Sequence, residues 1–335
     1  MLYRTLGRTK IKVSIVGFGG IPIQRISVEE AGLIVNRALD LGINFFDTAR
    51  GYTDSEAKLG AALKTRRKEA VIATKSMART REAMTADIQR SLAALRTNYI
   101  DIYQLHNVKD QATLEQILGE DGALAALKEA KQDGLIGHIG VTGHIKNFLL
   151  EAIKIEEVET VQFPFNAAET TGVNELLLGA VQADTGIIIM KPLAGGSLKN
   201  ADIALRYILD NPVSAVIPGM DSLQQVEENA SAGADPRPLT PHENSKLEEE
   251  VKKIGAVFCR RCEYCLPCRQ GIDISSIFLF DGYYTRYNLK KWASERYRGL
   301  QTKADACKEC GECEEQCPYG LPIRQMLKDA AARMT

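Results

Sequence analysis

Two rhythms of apolar residues alternate from residue 14 to about residue 232. Short, β-branched runs are separated by longer stretches in which apolar positions recur every three or four residues. The short runs are SIVGFGG (14–20), INFFDTA (43–49), AVIATKS (70–76), DIYQLHN (101–107), IGHIGVT (136–142), TVQFPFN (160–166), IIIMKPL (187–193) and SAVIPG (214–219). Each predicts a strand. The intervening stretches, such as SVEEAGLIVNRALDLG and TADIQRSLAALRT, predict amphipathic helices. SVEE and DSEAKLGAAL offer helix caps and acidic first turns. Strand–helix alternation implies right-handed βαβ units and a parallel sheet. Eight units in roughly 220 residues predict a closed α/β barrel, a (β/α)8 TIM barrel, with an open doubly wound sheet as the alternative. GFGGIP after the first run does not match the G-x-G-x-x-G phosphate loop. Its glycines turn the chain or let backbone run close to a ligand.

The pattern changes after residue 232. GADPRPLTPHEN reads as a linker, PHENSKLEEEVKKIG as a helix, and a cysteine-rich segment begins at about residue 257. The expected division is a barrel over 1–240, a linker helix over 241–256 and a small domain over 257–335. All eight cysteines of the 335-residue chain lie after residue 258. In a reducing compartment such a cluster points to metal ligands rather than disulfides. The net charge of -1 offers no excess of positive charge for nucleic acid or a membrane surface. MLYRTLGRTKIKV has no apolar signal core, and no apolar run reaches spanning length. The expectation is a cytoplasmic protein with no nucleic-acid or membrane partner.

Polar residues at strand ends carry the candidate chemistry, because a barrel gathers its active site where the strands finish. Asp47 ends INFF, Lys75 ends VIAT, His106 ends IYQL, and Tyr52 follows Asp47 by five residues. Three adjacent strands ending on ionisable groups would bury charges at a cost of several kcal/mol unless those groups neutralise one another. In that arrangement Asp47 holds Lys75 charged and in place. The ammonium favours the tyrosinate form and lowers the Tyr52 pKa from about 10. Tyr52 then serves as general acid for a developing alkoxide, and His106 orients the carbonyl oxygen.

FFDTARGYTDSE, VIATKS and IYQLHN resemble the aldo-keto reductase superfamily, whose Asp–Tyr–Lys–His tetrad they carry in order. The likeness covers roughly residues 1–232. It implies reduction of a small aldehyde or ketone, or oxidation of the alcohol, with a nicotinamide cofactor and no metal in the barrel. LYRTLGRTKIKV resembles the hairpin that plugs the barrel floor in that family. By the same resemblance Thr142 and Gln162 lie near the nicotinamide carboxamide. Met190, Lys191, Leu193 and Gly195 lie near the ring and pyrophosphate. The family's serine–asparagine pair is Thr142-Gly143 here, and its stacking aromatic is Met190. The adenosine end falls on IPGMDSLQQVEEN (217–229), through Gly219, Ser222, Gln225, Glu228 and Asn229. NADP-selective members place a lysine and an arginine where Gly219 and Gln225 stand, and Asp221 adds a negative charge. With no cation to offset it, NAD(H) is favoured over NADP(H).

CKECGECEEQCP (307–318) has the C-x2-C-x2-C-x3-C-P spacing that bacterial ferredoxins use for [4Fe–4S] clusters. CRRCEYCLPC (259–268) is the same motif with one residue fewer before the last cysteine. The resemblance implies a ferredoxin-like domain with two [4Fe–4S] clusters. Cys259, Cys262, Cys265 and Cys317 would hold one, and Cys307, Cys310, Cys313 and Cys268 the other. Zinc is the competing reading of paired C-x2-C motifs. Seven aromatics lie between the runs, in IFLFDGYYTRYNLKKWASERYRGL. They form an extra helical segment that packs the small domain, or else wall a substrate pocket or subunit interface. The domain takes the place in the chain of the family's C-terminal loop, so it is also a candidate lid.

Hydride transfer moves two electrons and a cluster passes one. Nothing in the sequence suggests a flavin to join them. The clusters are therefore structural or regulatory, or they serve an outside electron-carrier protein. The alternative to a carbonyl reductase is an electron-transfer or redox-sensing subunit whose barrel binds NAD(P)H without turnover.

Overall fold

The computed structural model describes residues 1–255, 258–260, 264–317 and 319–335. Strands β1 (Tyr3–Thr5) and β2 (Lys12–Ser14) form an antiparallel hairpin. β3 (Phe18–Gly19), β4 (Phe45–Asp47), β5 (Val71–Ser76), β6 (Ile100–Leu105), β7 (Ile136–Thr142), β8 (Val158–Pro164), β9 (Gly186–Met190) and β10 (Ala215–Ile217) form a parallel sheet in sequence order. Bridges Val16–Val216 and Gly19–Gly219 join its two ends. The eight strands thus make the (β/α)8 barrel that the alternating pattern predicts.

The helices form for reasons visible in the sequence. Val28–Asp40 opens on a capping box, in which Ser27 Oγ accepts from Glu30 N–H and Glu30 accepts from Ser27 N–H. It buries Ala31, Ile34, Val35, Ala38 and Leu39, which follow the helical period. Asp54 makes no capping bond to the helix Ser55–Ala62. Its carboxylate pairs with Lys58 one turn on, 2.9 Å away. NVKDQATLEQILGEDG contains a helix, Gln111–Leu118, capped by Asp110.

Successive residues of a strand point to opposite faces. Phe45, Ala73, Ile102, Ile188, Ala215 and Ile217 pack together with Leu6 and Val13 of the hairpin. This apolar layer closes the floor. Hairpin arginines fasten it to the wall: Arg4 donates to the carbonyls of Leu209 and Val213 at 2.8 and 2.7 Å, and Arg8 donates to that of Val158 at 2.5 Å. Gly7 is required here, because at φ +51 a Cβ would lie 2.3 Å from the Gly186 nitrogen. Two residues beyond the floor layer on the same strands stand Asp47, Lys75 and Gln104, followed by His106.

The chain divides into two compact units, Met1–Pro192 with Asn200–Pro241, and Leu193–Lys199 with His242–Thr335. The second unit takes in the helix Pro241–Gly255 from His242 onward and has its own core around Ile277, Phe278, Tyr297 and Leu327. The aromatic segment between the cysteine runs forms two helices, Ile274–Thr285 and Lys290–Arg298. Among the described residues no helix is long and apolar enough to cross a membrane.

Candidate active site

Lys75 lies at the centre of the strand ends. Its ammonium donates to Asp47 Oδ1 at 2.6 Å and to the Thr48 carbonyl at 2.8 Å, and both side chains of the ion pair are buried. Burial pushes the Lys75 pKa down, against the opposing pull of Asp47. The Tyr52 ring centroid is 5.2 Å from Lys75 Nζ, and the Tyr52 and His106 rings meet edge to face with centroids 6.2 Å apart. The structure therefore brings the three strand-end residues Asp47, Lys75 and His106 together with Tyr52.

The loop that carries Tyr52 is pinned on both sides. Tyr52 N–H donates to the Ala49 carbonyl at 3.0 Å, and Ser55 N–H donates to the Tyr52 carbonyl at 2.8 Å. Thr48 and Ser55 hydroxyls are bonded to each other at 2.8 Å, and Arg50 pairs with the buried Glu56. Glu56 in turn accepts from Thr74 at 2.7 Å. These bonds fix the backbone that carries the Tyr52 ring.

His106 is fixed through its backbone. Its N–H donates to the Ser76 carbonyl at 3.0 Å, and its carbonyl accepts from Arg79 Nη2 at 2.6 Å. Burial first, then the charges of Lys75, Arg79 and Lys191, hold its pKa well below the usual histidine range. The imidazole is neutral and can donate one hydrogen bond.

Sequence reasoning missed Gln104, which donates its amide to Asp47 Oδ2 at 3.2 Å. The signal was present: a polar residue two before His106, in an otherwise apolar strand, points to the same face. It also missed Arg79 and His144. Lys191, at φ +56, lies 3.1 Å from His144 Nε2, and His144 Nδ1 lies 3.2 Å from Asn107 Oδ1. The asparagine missing at Gly143 has a steric reason, since a Cβ there would lie 2.6 Å from the Val108 carbonyl oxygen.

The residues expected at the cofactor sort into used and unused groups. Thr142 Oγ1 accepts from Asn107 N–H at 2.9 Å. Gln162 is fully buried, yet neither its Nε2 nor its Oε1 has a partner. Asn229 is buried too, with Oδ1 unpartnered. Orphaned amides are costly unless something else satisfies them, and these fit a carboxamide and an adenine edge. Met190 is half-buried at the end of β9. Ser222 caps the helix Leu223–Ala234 by accepting from Gln225 N–H at 3.2 Å. Glu228 is exposed and accepts from Gln224 at 2.8 Å. Gly219 sits against Pro22, whose Cγ would be 2.7 Å from an added Cβ. Leu193 and Gly195 belong to the second unit, where Arg286 and Tyr287 flank Gly195.

Asp221 was expected to stand without a cation, but Arg25, from the turn after β3, pairs with it. The partner was invisible in the sequence because it lies almost the whole barrel away along the chain.

In the second unit, Cys265, Cys268, Cys307, Cys310 and Cys313 line one cavity, together with Arg269, Glu312 and Arg324. The cavity thus gathers Cys268 with the first three cysteines of the second run. Cys259 and Cys317 pack against the same small core. Cys262 lies outside the described residues. Among those described, no three Cys, His, Asp or Glu side chains converge to hold a single metal ion. Burial and the neighbouring Glu314, Cys307 and Cys310 push the Cys313 thiol up to about 11. A donor set of soft thiols around a shared cavity fits an iron–sulfur cluster.

Residues 15–202 match the Aldo/keto reductase family, and residues 258–322 match a 4Fe-4S dicluster domain. An L-galactose dehydrogenase of Arabidopsis thaliana is 30% identical over 299 residues, or 74% of this chain and 93% of the relative. The holo form of an aldo-keto reductase from Bacillus halodurans is similar with a TM-score of 0.64 at 26% identity, over 75% of this chain and 96% of that one. An aldo-keto reductase from Klebsiella pneumoniae in complex with NADPH gives a TM-score of 0.64 at 22% identity, over 74% and 95% of the two chains. At that identity the likeness is one of fold.

Proposed function

Because the chain belongs to the aldo-keto reductase family and carries a 4Fe-4S dicluster domain after its barrel, we propose that it interconverts a small aldehyde or ketone and its alcohol, with Tyr52 as general acid and base. The observation that carries this reading is the buried Lys75–Asp47 pair lying beneath Tyr52 and beside a neutral His106. When bound, a nicotinamide supplies or accepts the hydride. Tyr52 gives its proton to the carbonyl oxygen as negative charge develops there, and takes it back in the reverse direction. Lys75 stabilises the tyrosinate left behind, and Asp47 keeps the ammonium in place against the cost of burial. Neutral His106 donates a hydrogen bond to the same oxygen and so fixes which face of the carbonyl meets the cofactor.

Gln162, with its unpartnered amide, and Asn229, with its unpartnered Oδ1, are the residues that would hold the two ends of the nicotinamide cofactor. NAD(H) is the preferred form. No lysine or arginine occurs from Leu223 to Asn229, and Asp221 places a carboxylate before them. Cys259, Cys262, Cys265 and Cys317 would hold one [4Fe–4S] cluster and Cys268, Cys307, Cys310 and Cys313 a second. Such clusters supply one-electron chemistry that the barrel's hydride transfer does not use, so their first role is structural or regulatory.

The cysteine-lined cavity also supports a second reading, in which the domain exchanges single electrons with an outside carrier protein. Two anaerobic assays separate the readings. Oxidation of NADH by a panel of aldehydes and ketones is expected. NADH-dependent reduction of a one-electron dye, without carbonyl turnover, would instead establish the electron-transfer subunit.

A further inference from the structure

Arg25 closes the short 3-10 turn Pro22–Arg25 that follows β3. Its Nε donates to Asp221 Oδ2, and the two side chains are 24% and 15% exposed. The seat is rigid. Gly19 and Gly219 bridge the first barrel strand to the end of the last, and Pro22 packs where a side chain on Gly219 would go. Asp221 N–H donates to Gln225 Oε1 at 2.8 Å, which fixes the backbone that carries the carboxylate. The next helical residues, Leu223 to Glu228, contribute no cation. Arg37, which reaches this helix from the Val28–Asp40 helix, is committed through two nitrogens to Glu227, at 2.8 and 3.1 Å.

Both charges of the Arg25–Asp221 pair are largely withdrawn from water, so neither leaves the other cheaply. A carboxylate in this position is suited to accept hydrogen bonds from ribose hydroxyls, as acidic residues do in other dinucleotide sites. A phosphate at the same place brings up to two negative charges. It must either sit beside Asp221 or draw Arg25 away and leave the carboxylate unpaired.

We infer that the Arg25–Asp221 pair selects the coenzyme. Asp221, held by Arg25, receives the adenosine ribose hydroxyls of NAD(H) and rejects the 2'-phosphate of NADP(H). Arg25 is a latent phosphate-binding cation that Asp221 keeps occupied. The inference rests on the reading of the barrel as a nicotinamide-binding reductase.

The test is equilibrium binding of NADH and NADPH to the full chain, purified anaerobically and followed by nucleotide fluorescence. Wild-type protein should bind NADH more tightly. Asp221→Asn removes the carboxylate that opposes a phosphate and pairs with Arg25, and should tighten NADPH by about 10- to 100-fold, the value of one or two charge-assisted hydrogen bonds. The double variant Arg25→Gln/Asp221→Asn should lose that gain. Arg25→Lys keeps the positive charge and should leave the NADH/NADPH ratio within a few-fold of wild type, a prediction that stands even if Asp221→Asn folds poorly. An unchanged ratio in Asp221→Asn would overturn the selector. Equal tightening of NADPH in the single and double variants would show that Asp221 repels phosphate alone, and would overturn the role of Arg25. If wild-type protein bound neither nucleotide, the reductase reading itself would fall, and the inference with it.

Discussion

Replacing Tyr52 by Phe removes one hydroxyl from a loop whose backbone and flanking ion pair stay in place. Carbonyl reduction should fall by about 100- to 10,000-fold, the usual weight of a general acid, while NADH affinity stays nearly unchanged. Steady-state kinetics alongside nucleotide binding checks this, and activity within a few-fold of wild type would refute the assignment. His106 gives a prediction of opposite character. Its pKa is depressed in the folded chain by burial and by Lys75, Arg79 and Lys191. As pH falls through about 6.5, the unfolded chain therefore takes up a proton that the folded chain does not. The stability present above that pH should be lost progressively below it. Urea midpoints measured at successive pH values should fall more steeply for wild type than for His106→Gln. The convergence of Asp47, Lys75 and His106 was legible in the sequence because strand period and apolar runs place them at neighbouring strand ends. Gln104 was legible by the same period, and its polar side chain in an apolar run was passed over. Arg25 was not legible, since its partner Asp221 is brought to it only by barrel closure.

At the scale of the element, the rhythm of apolar positions located all eight barrel strands and the long helices, because packing and local periodicity agree there. The sequence misled where a polar side chain has two local choices. Asp54 looked like a cap but turns to Lys58, whereas Asp110 does cap the helix Gln111–Leu118. The hairpin offers a clean test of what an arginine does for a neighbouring element. Arg4 satisfies the carbonyl of Leu209, the last residue of the helix Ala201–Leu209, where no further helical donor follows, and that of Val213 in the segment beyond it. Arg4→Met keeps the length of the side chain and removes those bonds. It should cost about 1–3 kcal/mol, seen as a lowered Tm, with NADH affinity unchanged because the floor lies at the other end of the strands. A loss of NADH affinity without a loss of Tm would contradict this placement.

For the whole molecule, the cysteines and the barrel chemistry should separate. Protein purified anaerobically should be brown and hold about eight irons and eight sulfides per chain, the content of two [4Fe–4S] clusters. About four would mean that the shortened first run holds no cluster, and bound zinc would overturn the iron–sulfur reading. Cys310→Ser removes one proposed ligand. Six cysteines, Cys259, Cys265, Cys268, Cys307, Cys313 and Cys317, pack against the core that Ile277 and Leu327 anchor, so losing a cluster should lower the melting temperature of this unit. Carbonyl reduction should persist, because no cysteine occurs in the first 258 residues. A different consequence follows from how the barrel closes. The pairing of Val16 with Val216 and of Gly19 with Gly219 joins positions 200 residues apart. Chains are synthesised at about 5–20 residues per second, so on the ribosome β3 waits roughly 10–40 s for its last neighbour. Throughout that interval the nascent chain presents an open, apolar strand edge, and the cysteine segment emerges only after the strand that closes it has been made.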